Sequence, residues 1–308
     1  MLRDFAVAVD EVGPRHKNLA WEDSPAMREI ADEQRYAQRS SWAQPIGDTH
    51  SLGEATLRAA ADYVRTFADA FTAARPPLYG HLVVARAALE SSVVSWWLNE
   101  PDIARDERVK RGLSEHLYSA TEEGWLELQD DAAEHVDEWV ARAASLGWVA
   151  TDHNRKPWSL AKSRGKPLVD GVGRPSPRTG IARLLVDDDA RKIGELEWSR
   201  LSAVAHVTWF GLREALTFDE STPNLATGLS TVPVGTDSVA VGLQGFCVLR
   251  ALRRAATARV GLMGWQDAEW SAACGRAEEF EGGMLRAYQA GQQARVRAAD
   301  SSDGDESS

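Results

Sequence analysis

The segment LYGHLVVARAALESSVVSWWLN, residues 78–99, decides the fold class. Leu82, Val83, Leu89, Val93, Val94, Trp96, Trp97 and Leu98 cover nearly every side of a helix, the pattern of a helix buried on most of its surface. Such a helix needs others around it, and the chain supplies them. Upstream, Ser51 and Glu54 stand in capping-box spacing, and Leu57, Ala60, Ala61, Val64, Phe67, Ala68 and Phe71 form one apolar stripe at helical period, stopped by Pro76 and Pro77. Downstream, Pro101 stands where a first-turn proline is tolerated, so a third helix is predicted from Asp102 through Tyr118. A fourth carries Ala132, Val136, Trp139, Val140, Ala143 and Leu146, with Gly147 as its C-terminal cap. Helical pattern returns over Asp189 to Leu216, breaks at the Thr, Pro and Gly-rich Ser221 to Gly235, and resumes over Ser238 to Leu262 and Asp267 to Arg297. No alternating run is long enough to demand a sheet. The expected fold is all-α, a helical bundle of about seven or eight helices with long loops.

With 308 residues, 44% of them hydrophobic, the chain can bury a large core. Residues 51–298 read as a single helical domain. Residues 1–50, punctuated by Pro14, Pro25 and Pro45, read as an N-terminal extension without any long regular element, and 299–308 as a disordered acidic tail. The basic stretch between Thr151 and Thr179 reads as a long, mobile loop. Its segment Lys156 to Arg178 is either a solvated loop or a clamp for RNA or an acidic protein partner. A net charge of -11 disfavours nonspecific binding to nucleic acid or anionic membranes. No run reaches the length of a membrane span, and the N-terminal residues do not form a secretory signal, so the expected location is the cytoplasm. Cys247 and Cys274 lie far apart and read as reduced core residues, with no Cys/His clustering to hold a metal. No cofactor-binding motif is present, and the twelve tryptophans read mainly as packing ballast.

Two constellations carry chemistry. Arg86 and Glu90 lie one turn apart in the most apolar helix, where charges must be paired. They form either a buried pair that fixes helix register or a site in which Glu90 orients Arg86 toward an anionic ligand. In ELEWSRLSAVAHVTWFGLREAL, residues 195–216, Trp198, Ser202 and His206 share a face at four-residue spacing. No GxSxG turn accompanies the Ser and His, which disfavours serine-type hydrolysis. If the two helices meet, they form a polar pocket at Arg86, Glu90 and His206, with Ser202 as a further ligand-binding residue, in a noncatalytic binding or scaffold protein.

The run LVVARAALESSVVSWWLNEPDIARDERVKR and the later EWSRLSAVAH resemble an uncharacterised family of bacterial, especially actinobacterial, helical proteins. The family pattern is an Arg-x3-Glu helix followed by an aromatic-x3-Ser-x3-His helix, covering Glu54 to Leu216. That resemblance extends distantly to the HEPN superfamily, many of whose members are metal-independent ribonucleases of toxin or defence systems with an Arg-x4-6-His motif. Arg200 and His206 match it. The resemblance implies catalytic roles for both, His206 as general acid or base and Arg200 stabilising the phosphorane charge, at a site assembled across a homodimer.

Overall fold

A computed structural model describes residues 1–72, 77, 79–125, 132–159, 166–185, 187–206, 217–218, 234–235 and 238–302 of the chain. The fold is an all-α bundle, with eleven helices among the described residues. Strand pairing there amounts to two antiparallel pairs of two-residue strands, β1 (Ala150–Thr151) with β2 (Leu168–Val169) and β3 (Thr217–Phe218) with β4 (Val234–Gly235). The expected break over Ser221 to Gly235, the stretch 207–216 of the expected helix and Pro76 of the expected stop otherwise lie outside the described residues.

The residues expected as an irregular extension hold α1 (Leu2–Arg15), α2 (Pro25–Ile30) and α3 (Glu33–Ser40). Their prolines do not forbid helix. Pro14 lies in the last turn of α1, and Pro25 and Pro45 sit in the first turns of α2 and of α4 (Pro45–Ala70), where a missing N–H costs nothing. Phe5, Ala6, Val9 and Val12 of α1 are buried in the same core as α4 and the later helices. The start of α4 also differs from the capping-box reading. Ser51 lies inside the helix with its hydroxyl on the Gly47 carbonyl, and the first-turn N–H groups of Ile46 and Gly47 donate instead to the Glu33 carboxylate of α3. That cap comes from another helix and leaves no local signature.

The predicted central helix is α5 (Gly80–Asn99), buried at Leu82, Ala85, Ala88, Leu89, Val93, Val94, Trp97 and Leu98. It packs most extensively on α4 and on α10 (Ser238–Met263). α6 (Arg105–Trp125) starts three residues later than predicted and, together with α7 (Ala132–Ser145), builds a second apolar cluster around Tyr36, Trp42, Val109, Leu113, Leu117 and Val136. Gly147 follows α7 at φ +84°, the left-handed conformation that a glycine cap supplies without strain. Where α4 crosses α6, Gly112 permits the approach, since a Cβ there would lie 2.0 Å from Thr49 Oγ1.

The basic loop is anchored. Trp158 and Val169 are buried, and the Asp152 carboxylate accepts from Asn154 N and Lys156 N. Beyond it come α8 (Pro177–Leu184) and α9 (Asp188–Ala205), both packed on α5. α11 (Ala268–Ser302) runs into the stretch expected as a disordered tail, whose residues 303–308 lie outside the described residues.

Candidate functional site

Arg86 and Glu90 form the predicted pair, Arg86 Nε donating to Glu90 Oε1 at 2.8 Å. Their side chains are 22% and 29% exposed, so the pair lies at the surface of α5 rather than in the dry interior. The basic loop comes to it. Arg174 pairs with Glu115 at 3.0 Å and lies 4.6 Å over the Tyr118 ring, and Lys166 donates to the Pro175 carbonyl. Burial holds the Lys166 ammonium below its ordinary pKa, reinforced by Arg174 and opposed by the carboxylates of Glu115, Glu90 and Glu122. Burial holds Glu115 above its ordinary pKa against Arg174 and Lys166. Lys166 and Arg174 therefore face carboxylates of α5 and α6.

On α9, Ser202 is half-buried and His206 is the exposed residue closing the helix. Their observed contact is the last helical bond, His206 N to Ser202 O. Arg200 Nη1 donates to Glu197 Oε1 at 3.0 Å, with Glu197 fully buried and Arg200 29% exposed.

This second pair borders a cavity of about 570 Å³ between α9, α10 and α11. Its walls are largely apolar, formed by Leu196, Leu243, Met284 and Tyr288 with Val239, and among the described residues its charged lining is Arg200 and Glu197, with Gln292 as a further polar group. α5 packs against α9 yet contributes no residue to the cavity, and neither Ser202 nor His206 lines it. The volume and the apolar wall with one polar anchor match small-molecule sites in general. Sequence reasoning reached Arg200 through its spacing to His206 and missed Glu197, although Glu197 and Arg200 stand at the three-residue spacing of helical neighbours. Met284 and Tyr288 carried no signal, because they join α9 only through tertiary packing.

A second group of charges is interior. Arg108 is fully buried and holds Glu29 through two bonds of 3.0 Å, Nε to Oε2 and Nη2 to Oε1, while also donating to the carbonyls of Leu98 and Glu100. His50 Nε2 lies 2.9 Å from Glu29 Oε2. Burial alone would raise the Glu29 pKa, but the bonds from His50 and Arg108 outweigh it and hold the carboxylate below its ordinary range. Burial keeps His50 below its ordinary pKa despite Glu29, with Arg108 and Arg259 adding to the effect. The neutral ring therefore donates from Nε2 to Glu29. Arg259 of α10 donates to the His50 carbonyl and to Asn99 Oδ1, pairs with Glu54 at 3.1 Å, and is brought by burial down to about 10. This network ties α2, α4, α5, α6 and α10 together and reads as structural.

His116 stacks on Trp139 with centroids 4.1 Å apart, Trp42 stands edge-on to both, and Arg142 lies 4.2 Å over Trp139. Burial pushes the imidazole down to about 4, so it is neutral at pH 7.

Among the described residues no group of three or more His, Cys, Asp or Glu side chains is placed to hold a metal ion, and no helix is long and apolar enough to cross a membrane. Comparisons with protein-family models, with curated proteins and with solved structures find no match.

Proposed function

We propose that this chain is a noncatalytic binding protein whose site is the cavity between α9, α10 and α11. One observation carries the reading: a cavity of about 570 Å³ whose described walls are largely apolar, with the charged pair Arg200 and Glu197 as a polar anchor. This site lies on the same α9 helix as the pocket foreseen at Arg86, Glu90 and His206, and takes Arg200 and Glu197 from it. Free Cys247 and Cys274 support a cytoplasmic setting. The test is binding of the neutral fluorescent probe N-phenyl-1-naphthylamine to the full chain and to Leu243→Trp, which fills the cavity. Saturable binding by the wild type that the folded variant loses supports the reading. Equal binding by both refutes it.

A second reading, metal-independent RNA cleavage by Arg200 and His206, draws on the exposure of His206 at the C-terminal cap of α9 and the partial exposure of Arg200. In it His206 shuttles the proton and Arg200 meets the phosphorane, at a seam between two copies. Purified protein with RNA in EDTA tests it: cleavage by the wild type that His206→Ala abolishes supports the ribonuclease, and intact RNA with both proteins removes it.

A further inference from the structure

Where the basic loop packs on α6 it sets an amine beside a second, fixed cation. Lys166 is half-buried, and its Nζ donates at 3.0 Å to the Pro175 carbonyl rather than to a carboxylate. That Nζ lies 5.9 Å from the centroid of the Tyr118 ring, and the Arg174 guanidinium lies 4.6 Å from the same centroid, held there by Glu115. Two like charges sharing one ring favour the neutral amine over the ammonium. Burial acts in the same direction, against the pull of Glu115 and Glu122 on α6 and of Glu90 on α5. A neutral amine still donates one N–H to Pro175 and keeps a lone pair free to react, the state that activates lysine as a nucleophile. Glu115 supplies the complementary group. Its side chain is 12% exposed, Oε1 accepts from Arg174, and Oε2 is buried without a hydrogen-bond partner. An oxygen so placed is most stable carrying a proton, in agreement with burial holding this carboxyl above its ordinary range. An amine and a carboxyl pushed toward their neutral forms on neighbouring elements are the two groups that condensation with a carbonyl compound requires.

We propose that Lys166 captures a small aldehyde as a reversible imine, with Glu115 as the proton donor. The amine lone pair forms a bond to the carbonyl carbon, and a proton moves from nitrogen to oxygen to give a carbinolamine. Glu115 then passes its proton to the hydroxyl, the C–O bond breaks, water leaves, and the nitrogen pair completes the C=N bond. The product iminium cation faces the carboxylate that its formation leaves on Glu115. None of these residues lines the cavity between α9, α10 and α11, so this site stands apart from the binding reading above.

The experiment treats the full chain with propanal and sodium cyanoborohydride near neutral pH and maps the N-propyl marks by peptide mass spectrometry. Lys166 should be marked about tenfold faster than the exposed Lys17, Lys156 and Lys192, a margin within the gain that an acid-assisted step supplies. Acylation by acetic anhydride needs the free amine alone and separates the two roles. Folded Glu115→Gln should lose the margin with propanal yet keep the acylation of Lys166. Arg174→Gln should slow both reactions, and Arg174→Lys should restore them. A wild type in which Lys166 is marked no faster than the exposed lysines overturns the proposal, whether or not the variants fold. A margin unchanged in Glu115→Gln overturns the proton donation, and rates unchanged in Arg174→Gln overturn the role of the neighbouring cation.

Discussion

Replacing Arg108 with methionine should destabilise the fold in a way that depends on pH. Arg108 is fully buried and gives Glu29 two hydrogen bonds while serving the carbonyls of Leu98 and Glu100. Methionine fills similar space but leaves a buried carboxylate with His50 as its remaining partner, and removing one member of a buried ion pair costs about 3–5 kcal/mol. The histidine supplies the pH signature. In the wild type its folded pKa is depressed, partly by the Arg108 charge, so its contribution to stability is complete above the unfolded value of 6.5 and is lost as pH falls below it. Without Arg108 the imidazolium becomes the natural counter-ion of Glu29, the folded pKa rises, and the sign reverses: His50 then stabilises the variant at low pH and ceases to do so as pH rises. The deficit of Arg108→Met should therefore be near its full size at about pH 8 and clearly smaller at about pH 6. Glu29→Gln should lose a similar amount without relief in acid, because His50 then has no carboxylate to meet. Urea unfolding followed by tryptophan fluorescence and far-ultraviolet circular dichroism measures these differences. A deficit for Arg108→Met below about 1 kcal/mol, or one equal at the two pH values, would refute the account of the network.

Gly112→Ala should cost about 1–3 kcal/mol, because its Cβ would lie 2.0 Å from Thr49 Oγ1, and Thr49→Ala should recover part of the loss in a thermal melt of the double variant. His116, held down to about 4, stabilises the fold fully above pH 6.5 and loses that contribution as pH falls toward 4. His116→Phe keeps an aromatic ring on Trp139 and should flatten the acid side of the stability profile by on the order of 3 kcal/mol, read from denaturant midpoints across the range. Glu33→Ala removes the acceptor for Ile46 N and Gly47 N at the start of α4 and should cost about 1 kcal/mol, measured as a shift in the urea midpoint.

The sequence by itself determined the helical class and the central place of α5, because an apolar surface around a whole helix can be satisfied only by neighbours on most sides. It also determined α7 with its Gly147 cap, since both signals are contained within a few residues. Proline gave an ambiguous signal: Pro14, Pro25 and Pro45 were read as interruptions, yet two of them open helices, and the same residue serves both purposes according to its place in the turn. Arg86 and Glu90 were legible as a pair, but their exposure depends on which elements cover that side of α5. Only the tertiary structure brought Lys166 and Arg174 onto α6, set Arg108 against Glu29 across 79 residues of chain, and placed α9, α10 and α11 around a partly open cavity. The reason is physical. Helical periodicity fixes which face of a helix is buried, while the partner of that face is fixed by how all the helices pack together, and a site walled by three helices exists only after that packing is complete.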